Sequence, residues 1–268
     1  MLIDSHCHLD DALFDHDRKE VIASAKTAGI EGIIIPAVAR INFTAVRELA
    51  HEFEGGFYAL GIHPLCVHSS TTEDLDFLAE AVAVAMSDPR FVGIGEIGLD
   101  FFVKEIAEGE QRQKQEHFYN EQLKLARRYD LPVILHVRRS QDIILKYLRR
   151  YDDLSGIAHA FNGSEQQADQ FIELGYLLGI GGAMTFERAR QIRRHARHYD
   201  LSHYALETDS PDIAPAWLGS HAARNTPEQI RGIAEALAAL RGQCFEEIQK
   251  QTGENVLNTF PRIKNLLS

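Results

Sequence analysis

The sequence has little cysteine and no tract that could cross a membrane. Its three cysteines, Cys7, Cys66 and Cys244, lie far apart and form no C-x-x-C pair, which argues against a disulfide framework or a cysteine zinc site. No apolar run approaches the roughly 20 residues of a membrane span. A strand-like run begins already at Leu2 and leaves no room for a signal peptide. We therefore expect a cytoplasmic protein with reduced thiols.

Several common enzyme signatures are also missing. No G-x-G-x-x-G opens a helix after the first apolar run, and neither a GK[ST] loop nor a G-x-S-x-G motif occurs. These absences disfavour a dinucleotide-binding fold, a P-loop nucleotidase and a serine hydrolase with a nucleophile elbow.

Positive charge is scarce relative to negative charge. The chain carries 28 Lys and Arg against 39 Asp and Glu, a formal net charge of −11. Nucleic-acid backbones are bound mainly by Lys and Arg, so we expect weak binding of DNA or RNA outside an active site. Bound divalent cations would make a pocket locally positive and could hold a phosphate there. The basic stretch that contains His195 and His198 is interpreted as a solvated helix face.

Patterning along the chain indicates an α/β protein. Of its 268 residues 45% are hydrophobic and 25% charged, as in ordinary globular domains. Strand-like apolar runs alternate with helical stretches, which gives about eight strands, each followed by a helix. Continuous apolar strands indicate a parallel sheet that is covered on both faces. We predict a (β/α)8 TIM-type barrel of the metal-dependent hydrolase kind, forming a single domain over residues 1–268.

Side chains that can bind a metal stand at the C-terminal ends of the strand-like runs. They are His6, His8, Glu96, His136, His159 and Asp209. The C-terminal ends of parallel strands meet at one mouth of a barrel, where barrel enzymes have their active sites. Nitrogen and oxygen donors that converge there suit a pair of divalent cations, with Mg, Zn and Mn as candidates. The pattern therefore predicts a metal-dependent hydrolase.

Spacing and side-chain chemistry suggest individual roles. The two-residue period of a strand points His6 and His8 into the barrel mouth and turns Cys7 into the wall. Glu96 has two carboxylate oxygens and could bridge two cations. Asp209 could bind a metal and accept a proton, because a bound cation lowers the pKa of water from 15.7 towards about 7. The alternatives are a buried polar pair for the histidines and a helix cap or ion pair for Glu96.

Other polar residues near these runs have weaker assignments. Glu207, two residues before Asp209, is interpreted as orienting a ligand histidine, with a buried ion pair as the alternative. His63 suits a substrate contact, and Arg138 is either a phosphate contact or a solvated loop arginine. Asp100 is interpreted as a turn residue and not as a ligand.

Taken together, the motifs resemble the TatD family of metal-dependent deoxyribonucleases, which are amidohydrolase-like barrels. The matching strings, in order along residues 1 to about 215, are IDSHCHLD, GIHP, GEIGLD, LPVILHVRRS, HAFNGS and LETDSP. The later strings RNTPEQI and TGENVLNTF resemble the closing helices of that family.

The resemblance implies a reaction and a ligand set. It implies hydrolysis of phosphodiester bonds in DNA, often as a 3′–5′ exonuclease, with Mg or another divalent cation. One metal would be held by His6, His8, Glu96 and Asp209, and Glu96 would bridge to a second metal held by His136 and His159. FVGIGEIGLD contains no lysine, so if any residue forms the bridge that a carboxylated lysine forms in related barrels, the resemblance implies that it is Glu96.

Two other functions stay open at this point. The same site could hydrolyse a small amide, lactone or phosphoester, or the chain could bind metal as an interaction protein without turnover. A free carboxylate base is more than the second possibility needs, since structural zinc is usually closed by four ligands. DNA is the expected substrate, and we predict no membrane association and no stable protein partner.

Overall fold

The fold is built on an eight-stranded parallel sheet whose strands lie in chain order, β1 to β8. A computed structural model describes residues 1–220 and 223–267. Its strands are β1 (Leu2–Asp4), β2 (Ile30–Pro36), β3 (Gly56–Leu60), β4 (Phe91–Asp100), β5 (Val133–Arg138), β6 (Gly156–His159), β7 (Tyr176–Ile180) and β8 (Tyr204–Leu206).

Helices follow every strand and cover the outside of the sheet. They are α1 (Arg18–Thr27), α2 (Phe43–His51), α3 (Pro64–Val67), α4 (Thr72–Ala85), α5 (Gly109–Arg128), α6 (Gln141–Leu148), α7 (Glu165–Glu173), α8 (Arg190–His198), α9 (Ile230–Arg241) and α10 (Phe245–Thr259). Short 3-10 turns occupy Ala12–Phe14, Arg40–Asn42, Lys104–Ile106, Gly182–Thr185, Leu201–His203, Ala216–Leu218, Pro227–Gln229 and Pro261–Asn265. Within the described ranges, no helix combines the length and hydropathy that crossing a bilayer requires.

The sheet curves until its first and last strands meet. Ser5 N donates to Leu206 O over 3.0 Å, and Cys7 pairs with Ser210 in an isolated parallel bridge. These contacts lie just beyond the ends of β1 and β8. The predicted (β/α)8 barrel architecture is therefore confirmed.

The strands are buried on both faces, which explains their continuous apolar character. Every residue of β3, β4 and β7 is buried. Inward-facing side chains from the first half of the strands form a compact inner core together with Val256, Phe260 and Ile263 from the end of the chain. This packing closes the N-terminal end of the barrel, so the C-terminal mouth is the open one.

Local signals explain where several helices begin and end. Thr71 precedes α4 in a capping box with Asp74, whose Oδ2 accepts from Thr71 N at 2.8 Å. Ser164 caps α7 in the same way with Gln167. Gly29 follows α1 with φ +87°, a left-handed conformation that glycine adopts without a steric penalty.

Two strands are shorter than their apolar runs predict. β1 ends at Asp4 and β8 ends at Leu206, so His6, His8 and Asp209 lie in the segments beyond the strand ends. Those segments bond to each other across the barrel seam, with Asp209 N donating to His6 O over 2.9 Å. The metal-capable residues therefore extend over the mouth of the barrel.

The interpretation of His195 as a solvated residue is wrong. Helix α8 begins at Arg190, and His195 on it is only 3% exposed. Its Nε2 lies 2.8 Å from Gly163 O in the loop after β6. A polar ring is buried here because a backbone carbonyl satisfies it. His198 is exposed, as predicted.

Candidate metal centre

The predicted metal-binding side chains converge at the C-terminal mouth of the barrel. They stand at the base of a cleft of about 1170 Å³, whose lining includes His8, His63, Glu96, His136, Arg138, His159 and Asp209. His6 is fully buried behind this surface. The structure thus brings together all six predicted metal ligands and the two predicted substrate contacts.

Glu96 stands between two pairs of imidazoles. Its Oε2 lies 3.2 Å from His6 Nε2 and 3.3 Å from His8 Nε2. Its Oε1 lies 2.9 Å from His136 Nδ1 and 3.4 Å from His63 Nε2. Each carboxylate oxygen faces its own pair of rings, which is the arrangement that a bridging carboxylate requires.

An irregularity in β4 directs Glu96 into the mouth. The pairing register of β4 with β5 shifts between Ile94 and Ile97, so Glu96 lies in a bulge, a device that re-aims side chains beside active sites. The preceding residue must be small, because a Cβ at Gly95 would come within 2.7 Å of Ile134 Cβ. The glycine-rich sequence of this strand is therefore needed for the position of the acid.

Asp209 faces three imidazoles from the segment after β8. Its Oδ1 lies 3.5 Å from His6 Nε2 and 3.7 Å from His8 Nε2. Its Oδ2 lies 3.5 Å from His159 Nε2. The carboxylate is thus surrounded by nitrogen donors, and 15% of the side chain is exposed to the cleft.

Left-handed backbone at residues other than glycine is concentrated around the cleft. Arg139, Ala160, Asp209 and Ile213 have φ values of 55°, 43°, 54° and 45°, and all four line the cleft. Such conformations cost on the order of 1–3 kcal/mol each and persist where the surrounding structure enforces them. The segments after β5, β6 and β8 are therefore held by their surroundings in the backbone conformations that line the cleft.

The donor atoms are spaced as ligands of one cation are spaced. The Nε2 atoms of His6 and His8 lie 3.1 Å apart, and His63 Nε2 lies 3.1 Å from His136 Nδ1. Two imidazole nitrogens bound about 2.0–2.1 Å from a cation, at angles between a right angle and the tetrahedral angle, are about 2.9–3.4 Å apart. Each pair of rings therefore fits around a divalent cation.

The donors form overlapping groups. Within the described part of the chain, the triads whose ligand atoms all lie within 4.8 Å of one another are His6–His8–Asp209, His6–Glu96–His159 and His63–Glu96–His136. His136 and His159, which the family resemblance placed on one metal, share no triad. His63 takes the place beside His136. The ring of His159 instead stacks on that of His6, with centroids 3.8 Å apart.

Both carboxylates of the cluster are held in the ionised form. Burial opposes the ionisation of Glu96, but charge on His63 and His6, together with hydrogen bonds to His136 and His6, keeps its pKa well below the usual range. Burial likewise opposes ionisation of Asp209, and the neighbouring imidazoles, led by His159, nevertheless lower its pKa to about 2. Ionised carboxylates are the form that binds a cation.

The facing imidazoles differ in their affinity for a proton. Burial lowers the pKa of His6 and His63, and charge on neighbouring histidines lowers both further. Burial also acts against charge on His8 and His136, but their acidic partners raise the pKa of His8 to about 9 and also raise that of His136. Each pair thus favours one positive charge next to Glu96, which a cation can supply.

Glu207 contacts His159 from behind the cluster. Its Oε1 lies 3.1 Å from His159 Nδ1 and accepts from Ala160 N at 2.6 Å. Burial would lower the pKa of His159, but the charge of Glu207 and of Asp209 raises it well above the usual range. With Nδ1 facing Glu207, the Nε2 atom points to the cleft. This is the position expected of a residue that orients a ligand histidine, and that role stays a prediction.

The contact of Asp100 with His136 escaped the sequence analysis. Asp100 Oδ1 accepts from Phe102 N at 2.8 Å and from Val103 N at 3.1 Å, which is the turn that the sequence predicted. Its Oδ2, however, lies 3.1 Å from His136 Nε2. His136 is therefore held between Asp100 and Glu96. A second acid, at the end of the strand that carries Glu96, was the signal for this role.

Two buried glutamines of α5 fix the strand ends around the cluster. Gln122 Oε1 accepts from Ile62 N at 2.7 Å and its Nε2 donates to Ile62 O at 3.1 Å, next to His63. Gln115 Oε1 accepts from Asp100 N at 2.9 Å. Neither glutamine was assigned a role from the sequence. The spacing of the two glutamines, two turns apart on its buried face, was the available signal.

Arg138 lies at the rim of the cleft and not at its base. Its side chain is 49% exposed, and Nη1 lies 3.7 Å from Asp100 Oδ2. The guanidinium carbon lies 3.9 Å from the centroid of the Phe102 ring. From this place the guanidinium can reach a phosphate group in the cleft, and this role stays a prediction.

Comparison with known proteins identifies the family. The family described as TatD related DNase matches residues 3–261. The uncharacterized metal-dependent hydrolase YjjV of Escherichia coli K12 is 38% identical over 259 residues, which cover 96% of this chain and 97% of that protein. The human deoxyribonuclease TATDN3 is 31% identical, covering 99% and 97%. The crystal structure of YjjV, a TatD homologue, matches at a TM-score of 0.90 and 37% identity, covering 97% of this chain and 98% of that chain. This chain therefore belongs to the TatD family of metal-dependent hydrolases.

Proposed function

We propose that this protein is a deoxyribonuclease that hydrolyses phosphodiester bonds at the 3′ end of DNA, using two divalent cations bound around Glu96. Mg, Zn and Mn are the candidate metals. The observation that carries the proposal is that the two oxygens of Glu96 face two separate pairs of imidazoles. The human relative is named a deoxyribonuclease, which supports DNA as the substrate.

The ligand atoms divide between the two sides of Glu96. One cation would be held by His6, His8, Asp209 and Oε2 of Glu96, with His159 on the same side, and the other would be held by His63, His136 and Oε1 of Glu96. Bound divalent cations would polarise a phosphoryl oxygen and lower the pKa of a coordinated water. The residues themselves provide the position, the charge balance and the proton acceptor.

Asp209 is the group that we propose accepts the proton of the attacking water. Burial opposes its ionisation, but the imidazoles around it, led by His159, bring its pKa to about 2, so it is a carboxylate at neutral pH. Its side chain faces the cleft. As a carboxylate it can accept a proton from a water whose pKa a bound cation would lower. Arg138 and His63 are placed to hold the phosphate beside it.

The cleft suits an anionic polymer better than a small neutral ester. Its volume of about 1170 Å³ is larger than the roughly 300–1,000 Å³ of most small-molecule pockets. Arg138 and Arg139 line its rim, where they can pair with phosphates. A small amide or lactone would leave most of this space unused.

A digestion assay tests the proposal. Purified protein loaded with Mg, Mn or Zn should shorten oligonucleotides labelled at the 5′ end one residue at a time, which reports 3′–5′ degradation. Glu96→Gln and Asp209→Asn should each abolish cleavage, because each removes a carboxylate from the cluster. Glu52→Gln, at an exposed glutamate after α2, is the matched control and should retain full activity.

The outcome that contradicts the proposal is equally clear. A metal-loaded protein that cuts no DNA, while it hydrolyses small esters, lactones or amides tested beside the oligonucleotides, would identify a small-molecule hydrolase. Cleavage at internal positions of the strand would contradict only the proposed 3′–5′ exonuclease action, and DNA would remain the substrate.

A further inference from the structure

We propose that Phe102, Arg138 and Arg139 form a nucleotide-binding subsite at the rim of the cleft. A nucleobase stacks on this group, and its phosphate pairs with a guanidinium. The inference rests on the proposed function and narrows its substrate to DNA whose terminal base is unpaired. It concerns recognition outside the cluster of metal-capable residues.

The three side chains form one stack that is open to the cleft. Phe102 is 44% exposed although it is large and apolar. The guanidinium carbons of Arg138 and Arg139 lie 3.9 Å and 4.7 Å from the centroid of its ring. All three residues line the cleft. The flat surfaces of an aromatic ring and of guanidinium groups are those on which unpaired bases stack in proteins that bind single strands.

The backbone and one carboxylate hold the stack beside the candidate metal centre. Phe102 N donates to Asp100 Oδ1 at 2.8 Å, and Arg138 Nη1 lies 3.7 Å from Asp100 Oδ2. The same Oδ2 lies 3.1 Å from His136 Nε2. Arg139 has φ +55°, a conformation that a non-glycine residue keeps only where its surroundings enforce it. The subsite is thus adjacent to the cluster and built from constrained segments.

The distribution of charge around the cleft favours binding of a polyanion on the side of β4 and β5. Among the described residues that line the cleft, Arg138 and Arg139 are the only lysines or arginines. They follow β5, and Phe102 follows β4. Outside the metal-capable cluster, the acidic residues of the lining are Asp10, Asp11 and Asp212. They follow β1 and β8, on the opposite side of an eight-stranded barrel whose strands lie in chain order. A phosphate chain is therefore repelled from one side and attracted to the other.

The molecule contains a matched stack that serves as a control. The guanidinium carbon of Arg40 lies 4.1 Å from the ring centroid of Phe77, and Phe77 is 37% exposed. Neither residue belongs to the cleft lining. Loss of this ring removes a similar exposed contact without touching the proposed subsite.

The test measures kcat and KM of the metal-loaded protein on two single-stranded oligonucleotides. One carries ordinary bases throughout, and the other has abasic residues at its 3′ end. Phe102→Ala should raise KM for the ordinary strand about tenfold, since stacking on an aromatic side chain contributes that order of affinity per base. It should leave kcat nearly unchanged. For the abasic strand, Phe102→Ala should have the same KM as wild type. Phe102→Trp should restore the wild-type KM, and Phe77→Ala should match wild type.

A binding readout separates recognition from chemistry. Fluorescence anisotropy of the labelled ordinary strand, with a chelator present to prevent cleavage, should show the same loss of affinity in Phe102→Ala. If wild type cuts DNA but Phe102→Ala shows unchanged KM and affinity, the subsite is overturned and the proposed function stands. An equal rise in KM for both strands also overturns base stacking. If wild type cuts neither strand, the proposed function itself fails.

Discussion

The Nδ1 atom of His159 lies 3.1 Å from Oε1 of Glu207, on the far side of the ring from the cleft. On the near side, Nε2 lies 3.5 Å from Asp209 Oδ2. A carboxylate behind a histidine fixes the tautomer and the orientation of the ring, and loss of such a partner commonly weakens metal binding about 10- to 100-fold. The buried pair therefore determines which nitrogen of His159 faces the cleft.

Glu207→Gln should weaken metal binding by about 10- to 100-fold without unfolding the protein. The amide oxygen can still accept from Ala160 N, but the charge that holds the proton on Nδ1 of His159 is lost. Competition with a chromophoric chelator measures the affinity, and circular dichroism confirms the fold. Glu173→Gln, at the exposed end of α7, should bind metal like wild type. Equal affinity in Glu207→Gln would contradict the positioning role.

Gly179→Ala should lower both stability and metal affinity, although Gly179 lies on β7, which contributes no ligand. A Cβ at position 179 would overlap the carboxylate of Glu207, which is only 1% exposed and is held by a hydrogen bond from Ala160 N. Overpacking of this kind destabilises by about 1–3 kcal/mol, which denaturant unfolding measures. Adding Glu207→Ala should recover part of that stability but not the metal affinity. Independent, additive effects of the two changes would contradict the overlap.

Asp100→Asn should lower the metal affinity on the His136 side of Glu96. The asparagine oxygen can still accept from Phe102 N, so the turn is kept, but it no longer attracts the proton on His136 Nε2. We expect two binding steps in the titration of wild type and a selective weakening of one step in the variant, by about tenfold or more. A titration in which both steps weaken equally, or neither does, would contradict this role.

Asp88 should make stability depend on pH in the acidic range. Burial opposes its ionisation, but His51 and the other donors around it, including Tyr58 OH at 3.0 Å, hold its pKa below the usual value. A lowered folded-state pKa contributes stability above the unfolded pKa near 3.9, which is lost as pH falls through the folded value. Asp88→Asn should therefore lose about 1–3 kcal/mol at pH 7 and less near pH 3.

Denaturant unfolding at the two pH values checks this, with Asp76→Asn at an exposed position of α4 as the control. The control should lie within about 0.5 kcal/mol of wild type. A stability difference for Asp88→Asn that is the same at pH 3 and pH 7 would contradict the linkage. One cooperative transition in wild type would support the single domain over residues 1–268, which stays a prediction.

The barrel could be predicted because its strands carry a simple physical signature. Strands buried on both faces must be apolar throughout, so each run in the sequence marks one strand, and helices between them follow from length and capping residues. The convergence of donors was predictable for the same reason: parallel strands place their C-terminal ends at one mouth. His136 and His159 are even paired in register on β5 and β6.

Features that depend on long-range contacts could not be predicted from runs and spacing. The bulge that turns Glu96 inward is a matter of register between β4 and β5. The burial of His195 depends on a carbonyl more than thirty residues away. Asn225, in the RNTPEQI string, donates to Thr208 O at 2.8 Å and to Asp212 O at 2.9 Å, so it fixes the segment of Asp209. Such roles require the fold before they can be recognised.

The most direct test of the account is the number of divalent cations that the protein binds at the barrel mouth. Crystals grown with Zn or Mn, with anomalous scattering data, locate and count the ions, and elemental analysis of the same protein gives the stoichiometry. The account predicts two ions per chain, one on each side of the Glu96 carboxylate, and fewer than two in Glu96→Ala. A single ion, ions elsewhere on the molecule, or two ions retained in Glu96→Ala would contradict it.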